Sequence, residues 1–416
     1  MHNLHFRPLC PSFAVNLKRA VGLMNFCSLR SPSLAIAGAR RARRALFIQA
    51  TAPAAYPPLI HATTLLAEAG WDVTFLSAPI EGMTLSLIPH PRITVRSISS
   101  RPSHVMRKTD YAQYILCAAY LALRLRPRFV YASDPLGAAP GLLAARLANT
   151  KLVYHEHDSP EPGTSRTWLA QLRGAAARAA HLIVFPNEQR ARIAETELGF
   201  SSNRLHIVWN LVRLAELPPL PIVPEPPLIV YYHGSVTPER LPTTVVEALH
   251  RFGGRIRLKI AGYEAPGARG YVRRLVDLGR TDNSNSLVDY VGQISRDHLL
   301  SSAAHAHVGL ALMPLTSEDI NLRYMTGASN KVFDYMAAGL AVLVSELPDW
   351  HEIFVTQGFA RACDPADSNS IATALGWFLD HTEERRRMAG RGRAKIETAW
   401  NFDQAFSPVM FELSKL

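Results

Sequence analysis

Six of the eleven residues 217–227 are proline. A run so poor in backbone N–H groups fits neither the middle of a sheet nor the inside of a helix. It is a linker, and it leaves two stretches to fold, 45–216 and 228–398. Each alternates short, nearly uninterrupted apolar runs with longer amphipathic ones. Strands that are apolar throughout are buried on both faces, which requires a parallel sheet with helices on either side. The expected fold is α/β, with two doubly wound Rossmann-like domains facing each other across a cleft. Ligands of such folds bind outside the carboxyl ends of the strands.

The apolar runs predict strands over 45–49, 72–76, 93–97, 129–132, 152–155, 181–185 and 205–208, then 228–232, 257–261, 288–291, 308–312 and 340–344. Helices are expected over 59–69, 111–125, 141–147, 168–179 and 188–197. In the second stretch they are expected over 245–250, 270–278, 296–303, 330–338, 370–379 and 383–397. Residues 233–235 read as a turn.

The formal net charge is +11. Such an excess invites nucleic acid or an anionic membrane as a partner. Its distribution narrows that reading. Residues 1–44 hold eight basic side chains and no acid, and the first acid of the chain is Glu68. The rest has 37 basic residues against 34 acidic ones and carries only +3. The basic leader reads as a transit peptide, as a tail for anionic lipid, or as an unstructured extension. No nucleic-acid motif accompanies it, so nucleic acid is not an expected partner. A hydrophobic fraction of 48% excludes wholesale disorder, and four cysteines form neither a disulfide framework nor a metal-ligand spacing. The longest uncharged candidate, 112–123, falls well short of the roughly 20 residues that span a bilayer.

The most informative stretch is Ser329-Asn330-Lys331-Val332-Phe333-Asp334-Tyr335-Met336-Ala337-Ala338-Gly339. At helical spacing Val332, Phe333, Met336 and Ala337 share one face, and Lys331, Asp334 and Tyr335 share the other. Ser329 or Asn330 can cap the helix, and Gly339 suits the left-handed residue that ends it. The helix start, carrying a lysine, is then an anion site that fits a diphosphate. The competing reading is a solvated face with a chance Lys–Asp pair.

In the first stretch, Leu152-Val153-Tyr154-His155-Glu156-His157-Asp158 sets two imidazoles and two carboxylates at a strand end. His155 and His157 have the spacing of a metal-ligand pair, but no third ligand stands nearby, so no metal is expected. Asp134 follows another strand and lines the same wall, or merely starts a turn before Pro135. Tyr56 lies in the proline-stiffened loop Ala52-Pro53-Ala54-Ala55-Tyr56-Pro57-Pro58.

The stretch around Lys331 resembles the donor-sugar motif of retaining glycosyltransferases of the GT-B fold, in the large family 4. The likeness extends over nearly all of 45–410. Gly234 with Glu239-Arg240-Leu241 resembles the family's glycine loop and phosphate-binding basic residue. Ile260-Ala261-Gly262 and Tyr290-Val291-Gly292 resemble strand ends of its nucleotide pocket. Trp400-Asn401-Phe402-Asp403 resembles its late Trp motif, after which a terminal helix over 399–416 crosses back to the first domain.

The resemblance implies a nucleotide diphospho-sugar donor, a glycan or lipid-linked acceptor, retention of anomeric configuration, and no cofactor or catalytic metal. It makes His157 and Asp334 catalytic. It puts Gly234, Ser235, Arg240, Gly262, Gly292, Asn330, Lys331 and Tyr335 on the donor, and Asp134, Asp158 and Tyr56 on the acceptor side. It also implies work in the cytoplasm, at the inner face of a membrane, and the basic runs at 124–128 and 385–387 are compatible with that. The chain departs from the family's pattern in four places. Asp334 stands where Glu is usual, and Thr326 where an acid is usual. The glycine loop after the first strand is absent, and no second basic residue follows Arg240. Two alternatives stay open, a sugar-nucleotide epimerase and an inactive GT-B binding protein.

Overall fold

The computed structural model describes residues 43–52, 56–78, 89–98, 108–160, 167–281 and 286–416. The expectations for residues 1–42, and for Pro53, Ala54 and Ala55, lie outside the described residues. Arg43 and Arg44, counted with the basic leader, belong instead to the folded unit 43–416.

The first sheet has seven parallel strands in the order β3-β2-β1-β4-β5-β6-β7. They are β1 (Arg44–Gln49), β2 (Asp72–Ser77), β3 (Ile93–Ser97), β4 (Phe129–Ser133), β5 (Lys151–His155), β6 (Leu182–Phe185) and β7 (Leu205–Ile207). The helices between them are α1 (Pro57–Glu68), α2 (Lys108–Leu125), α3 (Asp134–Leu147), α4 (Trp168–Ala179) and α5 (Glu188–Leu198). α2 to α5 lie side by side over one face and close a core with Leu46, Ile48, Val130 and Ile183. α1 covers the other face, against Phe47, Phe75 and Tyr131.

α3 begins seven residues before its predicted start, because Pro140 argues against a helix there. Proline at 140 removes a donor and leaves the carbonyl four residues back without its helical partner. That carbonyl, of Leu136, accepts a hydrogen bond from the Tyr111 hydroxyl at 3.1 Å, so the helix continues through the proline at little cost.

The second sheet has six parallel strands in the order β10-β9-β8-β11-β12-β13. These are β8 (Leu228–Val236), β9 (Ile256–Glu264), β10 (Val288–Gly292), β11 (Val308–Ala311), β12 (Ala341–Ser345) and β13 (Ala360–Cys363). The helices are α6 (Thr243–His250), α7 (Tyr271–Leu278), α8 (Arg296–Ala303), α9 (Ile320–Arg323), α10 (Lys331–Ala337), α11 (Ser368–Asp380), α12 (Thr382–Thr398), α13 (Phe402–Ala405) and α14 (Ser407–Ser414). The sequence pattern missed α9, the helical stretch 348–355 and β13. β13 is four residues long with an arginine inside it, and too short to show alternation.

The expected turn at 233–235 is strand. β8 runs on through His233, Gly234 and Ser235, paired in register with Ala261, Gly262 and Tyr263 of β9. Glycine makes this pairing possible. A Cβ on Gly262 would sit 2.0 Å from the Gly234 carbonyl oxygen, and Gly234 itself has φ +94°.

Residues 399–416 form two short helices rather than one. Phe402 N–H donates to the Val212 carbonyl at 2.8 Å, and its ring packs on His61 of α1. Arg213, just before the proline-rich run, bonds Glu68 of α1 and Asp403 of α13. One apolar cluster runs continuously from Phe47 and Tyr131 through Val212 and Met325 to Phe333 and Phe402, so the two sheets share a core.

Candidate functional site

A cavity of about 420 Å³ opens between the carboxyl ends of the two sheets. From the first half it is lined by Thr51 and Tyr56 after β1, His157 and Asp158 after β5, and Arg190 of α5. From the second half come the β8 and β9 ends from His233 to Ser235 and from Ala261 to Tyr263, then Arg240, Arg296, Asn330 and Lys331. This is the crevice where a doubly wound sheet offers backbone and side chains to a ligand.

His157 is held from both sides of its peptide. Its N–H donates to Asp134 Oδ1 at 2.7 Å, and its carbonyl accepts from Arg190 Nη1 at 2.6 Å. Tyr56 stacks on the imidazole at 4.8 Å and 13°, and donates its hydroxyl to Asp158 at 2.9 Å. His155 lies behind, 3.8 Å from the His157 ring, and bonds the Tyr131 hydroxyl. Burial, with the nearby Arg190 charge, pushes His157 down to about 3, so the ring is neutral. Neither of its nitrogens has a partner among the described residues. A neutral, unpartnered, buried imidazole can give or take a hydrogen bond from a ligand without competing water.

Lys331 faces it from the second half. Its ammonium would lie 3.3 Å from a Cβ on Gly234 and sits 5.5 Å from the Tyr232 ring centroid. The side chain is buried and makes no hydrogen bond or ion pair among the described residues. Burial, reinforced by Arg240, pushes it down to about 7. Arg240 bonds Ser235 Oγ at 3.1 Å and has donors to spare.

Several residues fall elsewhere than their sequence reading placed them. α10 has no solvated face, since all seven of its residues are buried. Asn330 bonds Asp334 rather than capping the helix. Asp334 does not line the cavity. Arg296 holds it at 2.8 Å, and His233 Nε2 lies 3.3 Å away. Tyr335 also points away, donating to the Leu310 carbonyl and accepting from His233 N–H. Gly292 is absent from the lining, where Gln293 and Ile294 appear instead. Asp134 lies behind His157, buried, with φ +60°. Burial and the neighbouring Asp158 push it up to about 7. Thr326 donates its hydroxyl to Asp349. No group of three or more His, Cys, Asp or Glu among the described residues is arranged to hold a metal ion.

Sequence reasoning missed Arg190, Asn321 and Arg296. Arg190 donates across the cleft to the carbonyls of Asn321 and Tyr324, and Asn321 exchanges two hydrogen bonds with Ser159. Arg296 joins Asp334 to Glu216, which also meets His61 at 2.9 Å. No local pattern marks any of the three, because each works through partners distant in sequence.

Residues 61–210 match the family model described as a glycosyl transferase 4-like domain, and residues 242–409 the one described as glycosyl transferase-like. The chain belongs to the GT-B glycosyltransferases. The solved structures that resemble it agree. Sucrose-phosphate synthase from Thermosynechococcus elongatus is 16% identical with a TM-score of 0.62, over 90% of this chain and 98% of that one. Anabaena HepE in complex with UDP and glucose is 15% identical with a TM-score of 0.64, over 90% of this chain and all of that one. A UDP-forming α,α-trehalose-phosphate synthase from Burkholderia xenovorans, in complex with glucose-6-phosphate, is 13% identical with a TM-score of 0.62, over 89% and 100%. At these identities the likeness is one of fold. No curated protein matches the sequence.

Proposed function

We propose that this GT-B glycosyltransferase moves a sugar from a nucleotide diphospho-sugar to a glycan, lipid-linked or polysaccharide acceptor, with retention of configuration and with side-chain cations in place of a catalytic metal. The observation that carries the reading is Lys331. A buried amine with no ion pair among the described residues, beside Arg240 and the open backbone of Gly234, suits an anion. A diphosphate supplies two charges at that spot, and the same cations stabilise the further charge that develops as it leaves. Two of the structural neighbours were solved with UDP or a sugar phosphate, which fits a nucleotide-sugar donor and a sugar acceptor.

On this reading the sugar lies between Lys331 and His157. The neutral His157 ring bonds a sugar hydroxyl, and Asp134 and Arg190 hold it in place. The bond from the anomeric carbon to the diphosphate oxygen breaks through an oxocarbenium-like state, the acceptor hydroxyl oxygen bonds that carbon on the same face, and the hydroxyl proton passes to the departing diphosphate. Asp334 acts through Arg296, which does line the cleft, rather than on the sugar itself. The work is cytoplasmic, at the inner face of a membrane. A second reading, a binding protein without turnover, draws on Asp334 being withdrawn and on Thr326 replacing an acid.

A panel of nucleotide diphospho-sugars should contain one that raises the melting temperature, by linkage of binding to folding, and EDTA should not abolish the rise. With that donor, proton NMR of the hydrolysed or transferred sugar should show the donor's anomeric configuration. Inverted product refutes retention. Stabilisation without turnover on any acceptor favours the binding protein.

A further inference from the structure

Six large apolar side chains lie exposed on the outer helical face of the first half. Leu116, Tyr120 and Leu123 form a stripe along α2, at helical spacing. Leu143 and Leu147 continue it on α3, and Trp168 opens α4. Leu116 is 61% exposed, Leu123 53% and Trp168 51%, so about half or more of each residue lies in water, and the Trp168 ring meets the core at its edge contact with Tyr111. The same helices turn their alanines inward to the sheet, which leaves the larger residues outside.

The edge of this face where α2 and α3 end and β5 begins is basic. Residues 111–155 contain Arg124, Arg126, Arg128, Arg146 and Lys151 against one acid, Asp134, which is buried at the cleft. Arg124, Arg126, Arg146 and Lys151 are exposed and make no ion pair among the described residues. Asp110 stands at the opposite end of α2.

We propose that this face docks the protein on an anionic lipid surface. The proposal deepens the membrane part of the reading above and does not depend on its donor chemistry. An apolar stripe alone would also suit a second copy of the chain. A two-fold contact between copies, however, sets the patch against itself and brings unpaired arginines together. An anionic bilayer takes both features at once. Leucines and tryptophan enter the interfacial layer, while the arginines meet lipid phosphates. No helix among the described residues is long and apolar enough to cross a membrane, so the contact is peripheral.

The test is co-sedimentation of the full-length protein with vesicles of phosphatidylcholine, with and without phosphatidylglycerol. The protein should partition onto the anionic vesicles and not the neutral ones. Leu116→Ser with Leu123→Ser, and Arg124→Glu with Arg126→Glu, should each weaken partitioning by about tenfold or more, with unchanged melting by circular dichroism. Arg386→Glu with Arg387→Glu on α12, and Lys331→Ala in the cleft, should leave it unchanged. The last variant keeps a failure of the donor reading distinct from a failure here. Equal partitioning by wild type and both face variants overturns the proposal, since the lipid contact then lies elsewhere. So does absence of partitioning, or a lipid-free dimer that Leu116→Ser with Leu123→Ser dissolves.

Discussion

At the scale of single residues, Lys331 joins the fold to the chemistry. Burial and Arg240 both oppose its charge and push it down to about 7. A bound diphosphate favours the ammonium and raises that value. Between the free and bound values, binding takes up a proton. Affinity is therefore highest below pH 7 and falls as pH rises above it. Calorimetry with the stabilising nucleotide diphospho-sugar, whose diphosphate charge does not titrate in this range, should show binding roughly twentyfold to thirtyfold weaker at pH 8.5 than at pH 6.5, as one linked proton at about 7 requires. Proton uptake should be visible as a dependence of the heat on buffer. Lys331→Arg should flatten the profile, since its charge is permanent. The place of Lys331 at the cleft was legible in the sequence, whereas Asn330, read as a cap, bonds Asp334. The roles of Asp334 and Tyr335 were not legible, because helical spacing tells which residues share a face and not what covers it.

At the scale of elements, α10 shows why its polar face misled. Lys331, Asp334 and Tyr335 do share a side of the helix, but β8, β11 and α8 cover that side. Asp334 is thus a buried carboxylate compensated by Arg296, which in turn meets Glu216. Removing one partner of such a pair leaves an uncompensated charge, at a cost of about 3–5 kcal/mol. Arg296→Met should lower stability by roughly that amount in urea denaturation. Adding Asp334→Asn should recover much of the loss, and a double variant no more stable than Arg296→Met contradicts the pairing. The strands themselves were legible because their apolar runs are local. Their ends were not. β8 and β9 extend past the predicted limits on the strength of Gly234 and Gly262, whose close approach depends on each other.

At the scale of the whole molecule, strand–helix alternation and the proline-rich run were enough to read two parallel α/β sheets. What joins the halves was not readable. Arg190 reaches Asn321 and Tyr324, Ser159 pairs with Asn321, and Arg213 reaches Asp403. Each of these bonds spans more than a hundred residues, beyond any periodicity. Through them the peptide of His157 is tied to the segment that leads into Lys331. The cleft is in this sense one site built from two halves, with neutral His157 on one wall and cationic Lys331 and Arg240 on the other.

The central claim is that this cationic wall holds the diphosphate of a nucleotide sugar. Isothermal titration of the stabilising donor into wild type, Lys331→Ala and Arg240→Ala tests it most directly. Charge-assisted hydrogen bonds of this kind are worth about 1.5–3 kcal/mol, so each variant should bind roughly tenfold to a hundredfold more weakly. Unchanged affinity in both variants would contradict the account.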